Sequence, residues 1–402
     1  MQRSIILIMT ISLMILQASI SFSATSDENK LNDATPAMIS RSVLSGGDTA
    51  RLERVMAKAR RGEKIVVGTI GGSITEGAAA STPERRWANL AAQWWITHFP
   101  NTKVEFVNAG IGATGSNIGA HRVKDHLLKY NPDVVIMEYS VNDPNDKLAA
   151  ETLEGMVRQI LKMPNKPAVM LLFTMNPQGA NAQEWHSKIG YHYGLPMISY
   201  RDGLYPEFES GAIKWESIMP DGIHPNDQGM KYIGQYIGSF LDGVLANLPA
   251  DKKLPRIKRM PKPLISDVFE HTAMLNSDSI KPVVNKGWTP ANVYRFGNCW
   301  ETTAPGSELD FDVEGDTISL VFFRIKGDTG IAEAQVDDTP AVKMNAWFDA
   351  EWGGYSCWEL IARNLRPGKH RLKIKVLHEK AAQSNGHKFQ LQSIMEAGIK
   401  HK

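Results

Sequence analysis

The chain of 402 residues has 43% hydrophobic and 22% charged residues, the usage of an ordinary folded protein, which excludes a disordered, fibrous or polytopic membrane chain. Lys and Arg total 45 against 43 Asp and Glu, a formal charge of +2, so the sequence lacks the electrostatic footprint of a nucleic-acid binder. Its length exceeds one typical domain of about 100–200 residues and predicts two.

In chain order, Arg3, an apolar run over residues 5–16 and small residues at Ser21 and Ser23 form the order of a secretory signal cleaved near Ser23. The run is shorter than the about 20 residues of a spanning helix, so the expected location is periplasmic or secreted, without stable membrane insertion. Residues 24–42 are polar and read as a flexible leader. Leu52, Val55, Met56 and Ala59 then share one helical face. Continuous apolar runs at 65–70, 104–107, 134–137, 168–173 and, more weakly, 196–199 read as strands buried on both faces. Helical patterns at 87–95, 118–128, 153–161, 183–193 and 227–245 alternate with them. This alternation over residues 43–250 predicts βαβ units on a parallel sheet, with chemistry at the carboxyl ends of the strands.

Residues 251–263 hold six cationic residues and three prolines and read as a linker. Beyond it, over 264–402, short alternating strands at 317–323, 332–336, 358–362 and 372–376 predict a β-sandwich. Cys299 and Cys357 both lie in this part and, in an oxidising compartment, are expected to pair. Two cysteines and histidines without HExxH spacing are too few ligands for a zinc site, so no metal or other cofactor is expected.

The first strand runs into Gly71-Gly72-Ser73-Ile74-Thr75-Glu76-Gly77, where two glycines let the backbone turn off the sheet and clear space around a hydroxyl. The glycines do not fit a dinucleotide or P-loop pattern, and Thr75 breaks GxSxG. Downstream, Asp221-Gly222-Ile223-His224-Pro225 can present a base and its acceptor to that serine; read alone, it can equally be a turn before a helix capped by Asn226. Two further strand ends decide between these. Asn142 follows the third strand, and the small-residue loop 108–116 follows the second. Ser73 N–H, a loop N–H near Ala113 and the Asn142 amide could together meet the oxyanion of acyl transfer.

These blocks resemble the SGNH (GDSL-type) hydrolase superfamily: Gly72-Ser73, the 108–116 loop, Val141-Asn142-Asp143 and Asp221-Gly222-Ile223-His224-Pro225 stand in the family's order over residues 48–246. The resemblance implies a flavodoxin-like three-layer α/β/α domain with Ser73 as nucleophile, His224 as base and Asp221 as its orienting partner. It also implies an oxyanion hole of Ser73, Asn142 and either Gly112 or Ala113. The sequence departs from the common Gly-Asp-Ser in the first block, and Ala113 stands where the second block usually has glycine. Together with the leader and the jelly-roll-like β-sandwich, the Gly-Gly-Ser-Ile-Thr variant resembles exported esterases that remove acetyl groups from polysaccharides. An acetylated glycan is the implied partner. A polysaccharide O-acetyltransferase with the same triad and an inactive glycan-binding protein are the alternatives. Trp347, Trp352 and Tyr355, in a Gly-rich stretch of the β-sandwich, are the candidate sugar contacts; Trp288, Trp300 and Trp358 have core packing as an alternative.

Overall fold

The computed structural model describes residues 32–248, 254–293 and 296–399, and the expected export signal at 1–23 lies outside them. Helix α1 (Pro36–Ser42) opens the fold, capped by Thr35, whose hydroxyl accepts the Met38 N–H. Met38 is buried in the core, so residues 36–42 are not the flexible leader that their polarity suggested. A helix of 7 residues is too short to show in a periodicity.

The chain continues through β1 (Val43–Ser45), α2 (Ala50–Arg60), β2 (Ile65–Gly71), the single turn α3 (Ser73–Glu76), α4 (Trp87–His98) and β3 (Val104–Gly110). There follow α5 (Ser116–His126), β4 (Val134–Glu138), α6 (Lys147–Leu161), β5 (Ala168–Phe173), α7 (Gln183–Tyr193), β6 (Met197–Ser199), α8 (Tyr200–Glu209), α9 (Trp215–Ile218) and α10 (Asp227–Ala246). The six strands order as β1-β6-β5-β4-β2-β3, all parallel except β1, which pairs antiparallel with β6 at the edge. Alternate side chains of each strand serve opposite faces. Val134 and Ile136 join α2, α4 and α10 in one core, while Val135 and Met137 join α5, α6 and α7 in the other. Three layers result, with the ends of β2, β3 and β4 side by side.

In the C-terminal part the named strands all pair antiparallel. Its strands are β7 (Thr272–Leu275), β8 (Val284–Lys286), β9 (Thr289–Val293), β10 (Gly297–Thr302), β11 (Glu308–Glu314) and β12 (Thr317–Arg324), then β13 (Ile331–Val336), β14 (Val342–Asn345), β15 (Tyr355–Ala362), β16 (Lys369–Val376) and β17 (Phe389–Ala397). One sheet orders β15-β12-β17-β10-β9, with β7 also on β17; the other orders β14-β13-β16-β11-β8. Trp288 and Trp300 are buried between them with Phe311, Phe322 and Phe389.

The expected disulfide is not formed: both cysteines are free. Cys299 lies on β10 and Cys357 on β15, with β17 and β12 between, a separation of about 14 Å at about 4.8 Å per strand. A disulfide requires Cα atoms within about 7 Å.

Residues 33–402 form one compact unit, and α6 explains much of that. Arg158 Nε donates to Glu270 Oε2 at 2.7 Å and its Nη1 to Pro261 O at 3.1 Å. Glu154 accepts the N–H groups of Ile265 and Ser266 at 2.8 and 3.2 Å, and Glu151 pairs with Arg363 at 2.5 Å. The described part of the basic stretch also runs along the α/β layers, with Arg54 on Pro255 O at 2.9 Å and His192 on Lys262 O at 2.8 Å.

Candidate active site

Ser73 is the first residue of α3, after Gly72. Its carbonyl accepts the N–H groups of Gly77 and Ala78 at 2.9 and 3.0 Å, which fastens the turn. Ser73 Oγ lies 2.7 Å from His224 Nε2, and His224 Nδ1 lies 2.5 Å from Asp221 Oδ2. The three residues come together across 151 positions of sequence.

The loop that carries His224 is shaped from both ends. Gly222 holds φ 89°, in the left-handed region that glycine enters without a Cβ penalty. Asp221 Oδ1 accepts the N–H groups of Ile223 and His224 at 3.0 and 2.8 Å. Asn226 caps α10 through the N–H groups of Gln228 and Gly229 and anchors to Ser217 O at 2.8 Å. Partial burial pushes the Asp221 carboxyl up, but the hydrogen bonds from His224 and Ile223 outweigh it, and the net direction is down. An ionised Asp221 is what keeps a proton on Nδ1 and leaves Nε2 to face the serine hydroxyl.

The three expected donors converge on the same end of the sheet. Asn142 lies against Gly72, and among the described residues the buried Oδ1 of its amide has no hydrogen-bond partner. Its neighbour Asp143 holds this segment in place: Oδ1 accepts the Ser116 N–H at 2.8 Å, and Oδ2 faces His186 Nε2 at 3.2 Å. Of the two loop residues, Gly112 is corrected, because its N–H donates to Glu76 Oε2 at 2.9 Å. Ala113 adopts φ 56°, a conformation few side chains other than glycine, Asn and Asp take up, and among the described residues its N–H has no acceptor.

Sequence reading missed what lies beneath. Glu138, at the end of β4, is fully buried and accepts from Thr174 Oγ1 at 2.6 Å and Thr75 Oγ1 at 3.2 Å. Burial pushes its carboxyl up to about 7 against those two hydrogen bonds. A lone acidic residue ending an apolar strand was the available signal. Also missed was the meeting of the β part with the loop after β3: Ile111 and Ile118 share one apolar cluster with Phe296, Val321 and Met395, with Trp358 packed against it.

The expected sugar contacts form a separate cluster. Trp352, 60% exposed, stacks on Tyr355 at 5.7 Å between centroids, and Phe348 meets both edge-on. Arg324 donates to Tyr355 Oη at 3.0 Å and to Trp347 O at 3.1 Å. Trp347 joins through its carbonyl, while its indole nitrogen is buried and, among the described residues, without a hydrogen-bond partner. Among the described residues no hydrogen bond or ring contact links this cluster to Ser73, Asp221 or His224.

Residues 69–232 match the model of the GDSL-like lipase/acylhydrolase family. A two-domain esterase active on acetylated mannans, with and without co-crystallized mannopentaose, superposes with a TM-score of 0.83 at 32% identity, covering 90% of this chain and 99% of that one. An arylesterase of Vibrio mimicus is 24% identical over 191 residues, 46% of this chain and 91% of its own length. With the 32% identical two-domain esterase matched over 99% of its length and the family model matched over residues 69–232, the chain belongs to the GDSL-type (SGNH) acylhydrolases and is a carboxylic ester hydrolase.

Proposed function

We propose that the chain is an exported serine esterase that removes O-acetyl groups from a polysaccharide. The observation that carries this reading is the unbroken line of hydrogen bonds from Ser73 Oγ through the His224 ring to Asp221. In the proposed reaction Ser73 Oγ attacks the acetyl carbonyl while its proton passes to His224 Nε2. The N–H groups of Ser73 and Ala113 and the Asn142 amide hold the oxyanion. His224 returns the proton to the sugar oxygen as the C–O bond breaks, leaving an acetyl ester on Ser73. Water, deprotonated by His224, attacks that ester and releases acetate and free serine.

The likeness to an esterase active on acetylated mannans makes an acetylated mannan the first substrate to test, with Trp352 and Tyr355 as sugar contacts. In the same proposal residues 1–23 are the export signal, 43–250 the catalytic domain, 251–263 the linker and 264–402 the accessory β-sandwich.

The test compares wild type and Ser73→Ala on p-nitrophenyl acetate, butyrate and octanoate, and measures acetate released from acetylated mannan. Ser73-dependent activity that falls with acyl length, with acetate release, is expected. Preference for octanoate would overturn the glycan reading, and a fully active Ser73→Ala would overturn the mechanism.

A further inference from the structure

Arg122, on α5, is 1% exposed, and its guanidinium meets oxygen atoms at three strand ends. Nη1 donates to Ala109 O at 2.7 Å; Nη2 donates to Gly71 O at 3.0 Å and to Tyr139 Oη at 3.1 Å. Each acceptor belongs to a residue at the root of a segment that carries one of the proposed donors, Tyr139 through its side-chain hydroxyl. Gly71 ends β2, two residues before Ser73. Ala109 lies at the end of β3, before the loop with Ala113. Tyr139 follows β4, and its carbonyl accepts the N–H groups of Asn142 and Asp143, both at 3.0 Å. The acidic group within Coulombic reach is Glu76, whose carboxylate accepts the Gly112 N–H of the donor loop.

A buried cation met mainly by neutral oxygen atoms is a poor device for stability, because its desolvation cost is repaid only in part. A rigid planar fork with several donors is a good device for fixing distances between the groups it bridges.

We propose that Arg122 is a positioning residue for ester hydrolysis: bridging Gly71, Ala109 and Tyr139, it fixes the mutual placement of the Ser73, Ala113 and Asn142 donors and sets a buried positive charge beneath the oxyanion. The proposal rests on the reading of Ser73 as nucleophile. A lysine at this position keeps the charge but offers a single nitrogen to three acceptors spread over three segments.

The experiment compares Arg122→Lys, Arg158→Lys and Ser73→Ala with wild type. It measures p-nitrophenyl acetate kinetics, the rate of phosphorylation of the active-site serine by diethyl p-nitrophenyl phosphate, and thermal melting. Arg158 is the matched control, a buried arginine on α6 that serves Glu270, Tyr193 and Pro261. Arg122→Lys is expected to lower kcat about 10–100-fold, the effect of displacing a reacting geometry by a fraction of an ångström to an ångström. KM should stay within about twofold, and phosphorylation, which also builds charge in the oxyanion hole, should slow by a similar factor. Arg158→Lys should lower the melting temperature and leave both rates unchanged.

Wild-type rates in a folded Arg122→Lys protein, with Ser73→Ala inactive, would overturn the proposal. A fully active Ser73→Ala would instead overturn the reading on which it rests. If Arg122→Lys does not fold, Tyr139→Phe carries the test, since it removes one acceptor of the fork and keeps the ring. A kcat lowered about 3–10-fold, the worth of one hydrogen bond, supports the proposal, and an unchanged kcat overturns it.

Discussion

A Cβ at position 72 would lie 2.1 Å from Asn142 Oδ1, so Gly72 and Asn142 are in contact through the one face that a side chain would fill. The Gly72 backbone, at φ −87° and ψ −150°, asks for no special freedom; the glycine is there for space. Gly72→Ala is therefore expected to push the Asn142 amide out of place and lower kcat about 100-fold, the scale of losing one oxyanion donor. The fold should persist. Steady-state kinetics beside a melting curve check this, and a Gly72→Ala enzyme with normal kcat would show that Asn142 is not a donor.

Glu138 gives the fold a pH dependence of definite sign. Its carboxyl is held at about 7 by burial, above the ordinary 4.5, so the folded state binds that proton more tightly than the unfolded chain does. The associated stability is complete below about pH 4.5 and is lost as pH rises through about 7, on the order of 3 kcal/mol in all. Glu396, also raised to about 7 by burial, contributes in the same direction. Melting temperature should fall between about pH 5 and pH 8, and Glu138→Gln should flatten that fall while Glu396 leaves a remainder. Identical slopes in the two proteins would count against this account.

Ile111 couples the β part to the donor loop. Two residues before Ala113, it shares one apolar cluster with Ile118, Phe296, Val321 and Met395. Ile111→Ala should cost about 2–4 kcal/mol in stability, as cavity-forming substitutions do, and should also lower kcat several-fold at temperatures well below melting. Leu309→Ala, a cavity inside the sandwich, should destabilise comparably with kcat unchanged. Equal kcat in both variants would reduce the β part to a neighbour without influence on the chemistry.

The two cysteines should behave as free thiols. Treatment with a reductant is expected to leave the melting temperature unchanged, and thiol titration should find both groups after unfolding. Before unfolding, Cys299 should react slowly with alkylating reagents, because burial, with Glu301 nearby, pushes its thiol up to about 12. A reductant-sensitive melting curve would show that a disulfide forms.

The five parallel strands of the α/β part are legible because each is an apolar run, and buried parallel strands have no polar face to obscure them; β1, three residues on the antiparallel edge, escaped. The sandwich was read less completely. β7, β8, β9, β10, β11, β14 and β17 escaped, since short strands with one polar or mixed face resemble loops in a single sequence. Helix α1 escaped for its length. Arg122 and Glu138 were passed over because a charged residue is read as solvated until its surroundings are known.

What the sequence determined by itself was the set of candidate site residues. Ser73, Asn142, Asp221 and His224 stand at strand ends and in turns whose local spacing the chemistry requires, so the motif carries its own geometry. What only the tertiary structure decided depends on contacts across long separations. The spare N–H belongs to Ala113 because Glu76 occupies Gly112, and Cys299 cannot reach Cys357 because two strands intervene. Arg122 is a hub because helix α5 brings it beneath three strand ends. Burial and pairing of this kind are properties of the assembled layers, and no local pattern encodes them.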